Sequence, residues 1–483
     1  MYPTIFFRAD GNSTIGLGHV IRSIALVSIL KKSFNCVFVI KNPSEPLALL
    51  LNKECNKVYL IDAETSVEDE KKFFLKLITM TSTVVLDGYH FHSEFQKSIK
   101  QIGCKLVCID DIANVHFYAD YIINHCGGNI LKNYKTEPYT SYCFGPAYAL
   151  LRSSFRTASQ QSRNFNLKQI FVNMGGSDPN NDTLLVLQKI NQLELQNISQ
   201  IIIVVGSAYP FKTELENYIQ NQIHKIKFYI NVDEDQICAL MATCGVAICS
   251  ASTIAYEYAS VGGILYVIKT QNNQEDLFNF LITSGLALKF RQKDISINEI
   301  LFNRILEIQR SYFDGKSDKR LLELFINLEK EKEINLRNTL LSDLKTYFIW
   351  ANDIILRQFS LTKNSIDIDT HSIWFNKKII DINCYMFVAE INHNQVGNIR
   401  FDYQDDCFLI SYMIDEMFRG KGIGAMLVKL GIEKICNSNI KFNKFKAIVS
   451  QNNIASIKIF EKLGFIIYNM ENINEENFLT FTK

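Results

Sequence analysis

The 483-residue chain predicts an α/β protein: two successive units, each a parallel sheet covered by helices, followed by a smaller α+β unit. Three observations predict it. Short runs rich in Val and Ile alternate with helical patterns at 4–7, 36–40, 83–86, 105–109 and 121–123, the mark of a parallel sheet with helices on its faces. The alternation starts afresh at 169–172, 201–205, 227–230, 246–249 and 264–267. From about residue 340 the order changes to a helix, strands near 385–390, 395–401 and 408–414, and then helix, strand, helix. Two or three domains are expected at this length, because one hydrophobic core rarely organises so many residues.

These patterns divide the chain into two Rossmann-like domains at 1–155 and 156–310, a helical linker at 311–338 and a third domain at 339–483. The linker reading rests on the charge-dense run Leu328-Glu329-Lys330-Glu331-Lys332-Glu333, which suits a solvated helix. A site shared by the first two domains belongs in the cleft between them, beside the carboxyl ends of the strands.

Composition excludes several partners. With 51 basic and 50 acidic residues and a net charge of +1, there is no basic excess to hold nucleic acid. The twelve cysteines form no CxxC pair, and several sit in apolar runs such as Val246-Ala247-Ile248-Cys249, as expected of reduced thiols in a cytoplasmic protein. The most apolar runs are strand-sized, so neither export nor a membrane span is expected. The oligomeric state stays open.

In the first domain the opening strand ends in Arg8-Ala9-Asp10-Gly11, and Gly16-Leu17-Gly18-His19-Val20 then begins an apolar helix running to about residue 32. Glycines at such a turn let backbone amides approach a ligand, and the helix N-terminus favours negative charge. His19 is either a packed core histidine or a reactive group at that edge.

In the second domain one strand runs into Met174-Gly175-Gly176-Ser177-Asp178-Pro179, and the next into Gly206-Ser207. Both turns are candidates for phosphate contacts through backbone amides. A third strand leads to Ser250-Ala251-Ser252-Thr253 and a helix bearing Glu257. That carboxylate either accepts hydrogen bonds from ribose hydroxyls or simply compensates the helix dipole. Asp233-Glu234-Asp235 imitates a DxD metal motif, but it precedes an apolar helical run and reads as an N-terminal cap or first-turn acid.

Taken together, residues 1–310 resemble the UDP-sugar hydrolases of pseudaminic acid biosynthesis, relatives of GT-B glycosyltransferases. The resemblance is carried by Arg8-Ala9-Asp10 with Gly16-Leu17-Gly18-His19-Val20-Ile21-Arg22, Ile109-Asp110-Asp111, and Gly145-Pro146-Ala147-Tyr148-Ala149-Leu150-Leu151-Arg152. The Gly175-Gly176-Ser177-Asp178 loop, the stretch 252–257 and Gln271-Asn272-Asn273-Gln274 complete it. It implies a catalytic His19 that activates the water attacking the anomeric carbon with inversion, a task suited to an imidazole with an unperturbed pKa of about 6.5. It also implies a UDP-sugar site formed by Arg8, Asp10, Gly16, Gly18, Gly175, Gly176, Ser177, Gly206, Ser252, Thr253, Glu257, Asn273 and Gln274, with no required metal.

In the third domain Arg419-Gly420-Lys421-Gly422-Ile423-Gly424 links a strand to a helix, a turn able to cradle a pyrophosphate with backbone amides. It fits the glycine loop of the GNAT acetyltransferases. A strand at 445–450 and Asn453-Ile454-Ala455-Ser456-Ile457, ending in Leu463-Gly464-Phe465, extend the resemblance. It implies an acetyl-CoA site formed by Arg419, Gly420, Lys421, Gly422, Ile423, Gly424 and Asn453, with backbone groups near Met413 and Ile414 holding the thioester in a gap between splayed strands. Many members carry a tyrosine where this chain has Phe460, so the group that protonates the departing thiolate is left unassigned. His371 and Glu390 are candidates on the amine side.

Asn352-Asp353 with Arg357, and His371-Ser372-Ile373-Trp374-Phe375, also resemble the acetyltransferase that acts on the 4-amino group of a UDP-sugar in the same pathway. The expected whole is a GT-B-like pair of Rossmann-like domains followed by an α+β GNAT domain. The GNAT domain would make UDP-2,4-diacetamido-2,4,6-trideoxy-β-L-altropyranose, and the pair would hydrolyse it. A glycosyltransferase fused to an unrelated acetyltransferase is the alternative enzyme reading, and a ligand sensor built from degenerate domains the non-enzymatic one.

Overall fold

The computed structural model describes residues 2–11, 17–128, 133–163, 166–193, 198–220, 222, 224–291, 295–438, 444–474 and 476–483. It divides into two compact units, one of Met1–Lys135 with Cys143–Phe325 and one of Thr136–Tyr142 with Ile326–Lys483.

The first unit holds both α/β halves. Six of the seven strands of its first sheet lie in the order Lys57–Ile61, Asn35–Lys41, Thr4–Ala9, Thr83–Asp87, Lys105–Ile109 and Tyr121–Asn124, and each of these neighbours pairs in parallel. The second repeats the plan with Lys225–Ile230, Gln200–Val205, Gln169–Asn173, Val246–Ser250, Ile264–Ile268 and Leu288–Lys289. This is the doubly wound order, in which the chain reverses direction across the sheet between its first and fourth strands. Crossover helices bury both sheet faces, so a central strand reads as an unbroken apolar run: Ile170, Phe171 and Val172 are all fully buried. The strands at Lys57–Ile61 and Leu288–Lys289 escape sequence reading because they are short edge strands with exposed positions, Leu60 among them.

The second unit carries a sheet ordered Ile334–Asn338, Cys384–Ile391, Asn394–Gln404, Cys407–Ile414, Phe445–Ser450, Glu476–Thr482 and Ile466–Ile473. All of its pairings are antiparallel except that of Cys407–Ile414 with Phe445–Ser450. Leu427, Val428, Ile432 and Ile435 of the helix Ile423–Cys436 pack onto one face of it.

Two expectations need correction. Residues 311–338 are not one solvated helix: they hold the end of the helix Glu299–Tyr312, the helix Ser317–Glu333 and the edge strand Ile334–Asn338. Leu321, Phe325 and Leu328 are fully buried, and Glu331 is a buried partner of Lys429 at 3.0 Å. Charge density misleads here because the acidic and basic side chains share a helix with an apolar face. The third domain also has two strands beyond its last helix; Ile466–Ile473 is exposed at seven of eight positions, which leaves no alternation to read. Among the described residues, no helix is long and apolar enough to cross a membrane.

Candidate active sites

The first site forms where the first sheet reverses direction. His19 lies at the start of the helix Gly18–Leu30, after the first strand, and Asp87 ends the fourth. Parallel strands carry both residues to the same carboxyl edge. His19 Nδ1 lies 2.7 Å from Asp87 Oδ1. Arg22, one turn along the helix, grips the same carboxylate with Nε to Oδ2 and Nη2 to Oδ1, each at 2.7 Å, and Ser23 Oγ adds a contact at 3.3 Å. The third guanidinium nitrogen, Nη1, reaches Asp111 Oδ2 at 2.8 Å. Arg22 also lies 3.0 Å from His19 Nδ1, but a guanidinium has no acceptor, so the imidazole proton goes to Asp87. With Nδ1–H directed to the Asp87 carboxylate, the Nε2 lone pair is left to act as a base.

Burial alone would raise the Asp111 carboxyl; the charge and hydrogen bond of Arg22 outweigh it and hold the group below its ordinary range. His125, fully enclosed and near Arg22, is pushed down to about 4 and stays neutral. The His19 ring meets Tyr89 edge-on at 4.7 Å, and Asn273 of the second half donates to the Tyr89 hydroxyl at 3.3 Å. Asp87 and Tyr89 were missed by sequence reading. The available signal was an aspartate closing an apolar parallel strand, in Val84-Val85-Leu86-Asp87-Gly88.

Arg8 and Asp10 do not join this group as expected. Arg8 is fully buried and bonded to Asp10 and Glu70 at 2.5 to 2.8 Å, beneath the Phe91 ring. Asp10 is further held by Lys41 N at 2.8 Å and His90 Nε2 at 3.1 Å. Asp10, Glu70 and His90 bring ligand atoms within 4.8 Å of one another, and the guanidinium already supplies the positive charge there. The pair is structural because a buried arginine must be neutralised. Gly16 lies outside the described residues; Gly18 starts the helix with open space at its Cβ position.

On the second sheet, Gly175, Gly176 and Ser177 follow its first strand, and Ser252 and Thr253 follow its fourth, so these loops also gather where that sheet reverses. Gly175 has φ +105°, a glycine conformation, but its amide donates to Asn173 Oδ1 at 2.8 Å. Gly206 donates its amide to Gly176 O at 2.9 Å, and a Cβ there would lie 2.5 Å from that oxygen. Its glycine therefore serves loop packing rather than an anion. Asp178 caps the helix Asp182–Gln192 through Asp182 N and Thr183 N, both at 2.8 Å. Among the described residues the helix Thr253–Val261 has no side-chain cap; the Ala255 amide donates to Ser252 O at 2.9 Å, which leaves those of Thr253 and Ile254 as its uncapped first amides.

Glu257 is not a free carboxylate: Arg152 forks onto it with Nε to Oε1 at 2.7 Å and Nη2 to Oε2 at 2.9 Å. Burial keeps its pKa above the ordinary value even against Arg152. Gln274 is turned back onto its own loop, accepting from Thr270 N at 2.9 Å, whereas Asn273 is exposed. Asp233 is a helix cap, accepting from Gln236 N at 2.8 Å.

The second site is a cavity of about 940 Å³ within the second unit. Strands Cys407–Ile414 and Phe445–Ser450 pair only as far as Ile410 and Ala447; beyond that they diverge, leaving Met413 and Ile414 beside a gap. The glycine loop lines the same cavity. Gly420 and Gly422 have φ of +74° and +80° with open space at their Cβ positions, so glycine is needed for the backbone conformation. Ile423 and Gly424 begin the helix that follows.

Two predicted ligand contacts are otherwise employed. Arg419 Nε donates to Ile414 O at 3.0 Å and Nη2 meets Asp353 at 3.0 Å, which turns the side chain inward. Asn453 Oδ1 caps its helix by accepting from Ser456 N at 3.1 Å. Lys421 lies over the Phe418 ring at 5.1 Å.

In the same lining His371 is buried, its Nε2 has no hydrogen-bond partner among the described residues, and burial lowers its pKa below the ordinary value. Asn398 Nδ2 is buried in that lining and has no hydrogen-bond partner among the described residues. Glu390 does not line the cavity; it is paired with Arg337 at 2.7 Å.

Residues 333–466 match the family described as Acetyltransferase (GNAT) domain. The chain therefore carries a C-terminal GNAT acetyltransferase domain. It is 26% identical to an uncharacterized protein of Methanocaldococcus jannaschii, over 94% of this chain and 95% of that protein. The chain also has homology to the UDP-2,4-diacetamido-2,4,6-trideoxy-beta-L-altropyranose hydrolase of Campylobacter jejuni, at 25% identity over 59% of this chain and 99% of that protein. The spore coat polysaccharide biosynthesis protein SpsG of Bacillus subtilis is 25% identical over 65% of this chain and 90% of its own length. Among solved structures, spermidine N-acetyltransferase from Vibrio cholerae aligns with 32% of this chain and 95% of its own, at 17% identity and a TM-score of 0.30.

Proposed function

We propose that the chain is a cytoplasmic bifunctional enzyme of nucleotide-sugar metabolism, in which the GNAT domain makes the substrate of the two GT-B-like domains before it. Acetyl transfer from acetyl-CoA to the 4-amino group of UDP-4-amino-4,6-dideoxy-N-acetyl-β-L-altrosamine gives UDP-2,4-diacetamido-2,4,6-trideoxy-β-L-altropyranose. Hydrolysis then gives free sugar and UDP.

The observation that carries the hydrolase reading is the imidazole of His19 held by Asp87, at the edge where a doubly wound sheet receives ligands. Homology to a UDP-sugar hydrolase over nearly that protein's whole length supports it. His19 Nε2 takes the proton of a water attacking the anomeric carbon from the face opposite UDP, so the configuration inverts. Asp87 stabilises the imidazolium that forms. The diphosphate leaves as an already weak base, its charge met by the Thr253 and Ile254 amides and the Gly176-Ser177 turn, without a metal.

In the GNAT domain the glycine loop would hold the pyrophosphate of coenzyme A, and the strand gap its pantetheine arm. His371 and Asn398 would meet the sugar nucleotide from the opposite end of the cavity, where their unpartnered polar atoms need a ligand.

Mass spectrometry of products from the amino sugar with acetyl-CoA tests the scheme. Free coenzyme A should appear first and UDP afterwards. UDP released equally fast without acetyl-CoA would refute the order, and a requirement for a second sugar acceptor would refute hydrolysis.

A further inference from the structure

Aminolysis of a thioester expels a thiolate, which must leave with a proton. Phe460, in the helix Ile454–Lys462 beside the strand gap, has none to give. Tyr412 stands two residues past Ile410, the last position at which its strand pairs with Phe445–Ser450, where the gap opens. Its ring lies beneath the glycine loop, Cε2 being 3.5 Å from the position of a Cβ on Gly424. Its hydroxyl is 2.8 Å from Ser456 Oγ, and both residues line the cavity. Ser456 is fixed in turn, since its amide is capped by Asn453. The other tyrosine of the lining, Tyr347, is almost fully buried and has its hydroxyl bonded to Thr339 at 2.8 Å.

We propose that Tyr412 is the proton donor to the departing coenzyme A thiolate and that Ser456 is the positioning residue that turns its hydroxyl toward the gap. The inference rests on the acetyltransferase reading above. Ser456 Oγ–H donates to the phenol oxygen, which leaves the phenolic O–H for the sulfur. As the amine nitrogen bonds to the acetyl carbon and the carbon–sulfur bond breaks, sulfur takes the phenolic proton. The phenolate then takes the proton that the acetylated nitrogen loses, so acetyl-CoA and amine become amide and free thiol with Tyr412 restored. Burial raises the phenol to about 12, with the Ser456 hydrogen bond acting against it, so the donor stays protonated through the neutral range. Return of the nitrogen's proton offsets the uphill transfer to a thiolate, whose conjugate thiol has a pKa of about 8.5.

Two measurements on the full-length chain test this. With the 4-amino UDP-sugar and acetyl-CoA, Tyr412→Phe should lower kcat about 100-fold and leave KM for acetyl-CoA unchanged. Ser456→Ala should lower kcat less and move the alkaline limb of its pH profile upward, and adding Phe460→Tyr to Tyr412→Phe should restore part of the rate. Separately, the thiol of bound coenzyme A, followed by its thiolate absorbance, should ionise about one to two pH units higher in Tyr412→Phe, the value of a hydrogen bond to a charged group. A kcat within threefold of the parent with an unchanged thiol titration would overturn the proposal. If the thiol titration shifts but the parent chain transfers no acetyl group to this sugar, the substrate is wrong and Tyr412 keeps its role. Failure of coenzyme A to bind would overturn both readings.

Discussion

His19 and Asp87, 68 positions apart, meet through a 2.7 Å hydrogen bond in which the carboxylate accepts the Nδ1 proton. The carboxylate is itself gripped by Arg22 through two 2.7 Å contacts, which offset its charge in a buried place and hold it where it orients the ring.

Replacing His19 by Asn should reduce UDP release from the diacetamido sugar about 100-fold or more, the range of general-base catalysis, while UDP binding and acetyl transfer stay near the parent values. Asp87→Asn should lower hydrolysis as well, with a structural cost that His19→Asn lacks. Leaving Arg22 without its main counter-charge should cost about 3 to 5 kcal/mol in urea denaturation. Full hydrolysis by a folded His19→Asn protein would return this residue to a packing role.

Glu257→Ala should destabilise the first unit, because it strands the Arg152 guanidinium without its carboxylate; about 3 to 5 kcal/mol is the range for a broken buried pair. Calorimetry with UDP on the folded variant separates this effect from ribose binding. An affinity loss of about 1.5 to 3 kcal/mol would show that the carboxylate also holds the nucleotide, and unchanged affinity would leave it purely structural.

Asp10 gives a pH-dependent prediction. Burial raises its carboxyl, but hydrogen bonds from His90 and Arg8 and the charge of Arg8 overcome this and hold its pKa well below the ordinary 3.8. A depressed folded-state pKa means that the unfolded chain binds the proton more readily. The contribution is therefore fully present above the unfolded value and fades as pH falls from about 4 toward the folded value. The stability difference between the parent and Asp10→Asn should be largest near neutrality and shrink through that acid window; a difference that stays constant with pH would contradict the ion-pair account.

Gly422→Val should uncouple the two activities. At φ +80° a branched residue is strained, and distortion of the loop should abolish formation of both products from the amino sugar. Hydrolysis of the pre-acetylated sugar should continue at the parent rate. A variant that still acetylates would show that this loop does not hold the cofactor.

The sequence by itself determined the architecture of alternating strands and helices, because parallel strands buried on both faces must be apolar throughout, as Ile170, Phe171 and Val172 are. It also marked the glycine turns at Gly175 and at Gly420 and Gly422 and the place of His19 at a strand-to-helix edge, because those signals are local. Partnership was decided only by the tertiary structure. Nothing near Asp87 in sequence announces His19, and nothing near Glu257 announces Arg152, since the sheet register and the packing of the two halves bring them together. The same holds for Arg8, which reads as a ligand contact beside a loop yet is enclosed by Asp10 and Glu70. Tyr412 and Ser456, 44 positions apart, become one hydroxyl pair beside a gap only because the strand of Tyr412 parts from its neighbour after Ile410 and the helix Ile454–Lys462 brings Ser456 to it, a divergence that no periodicity records.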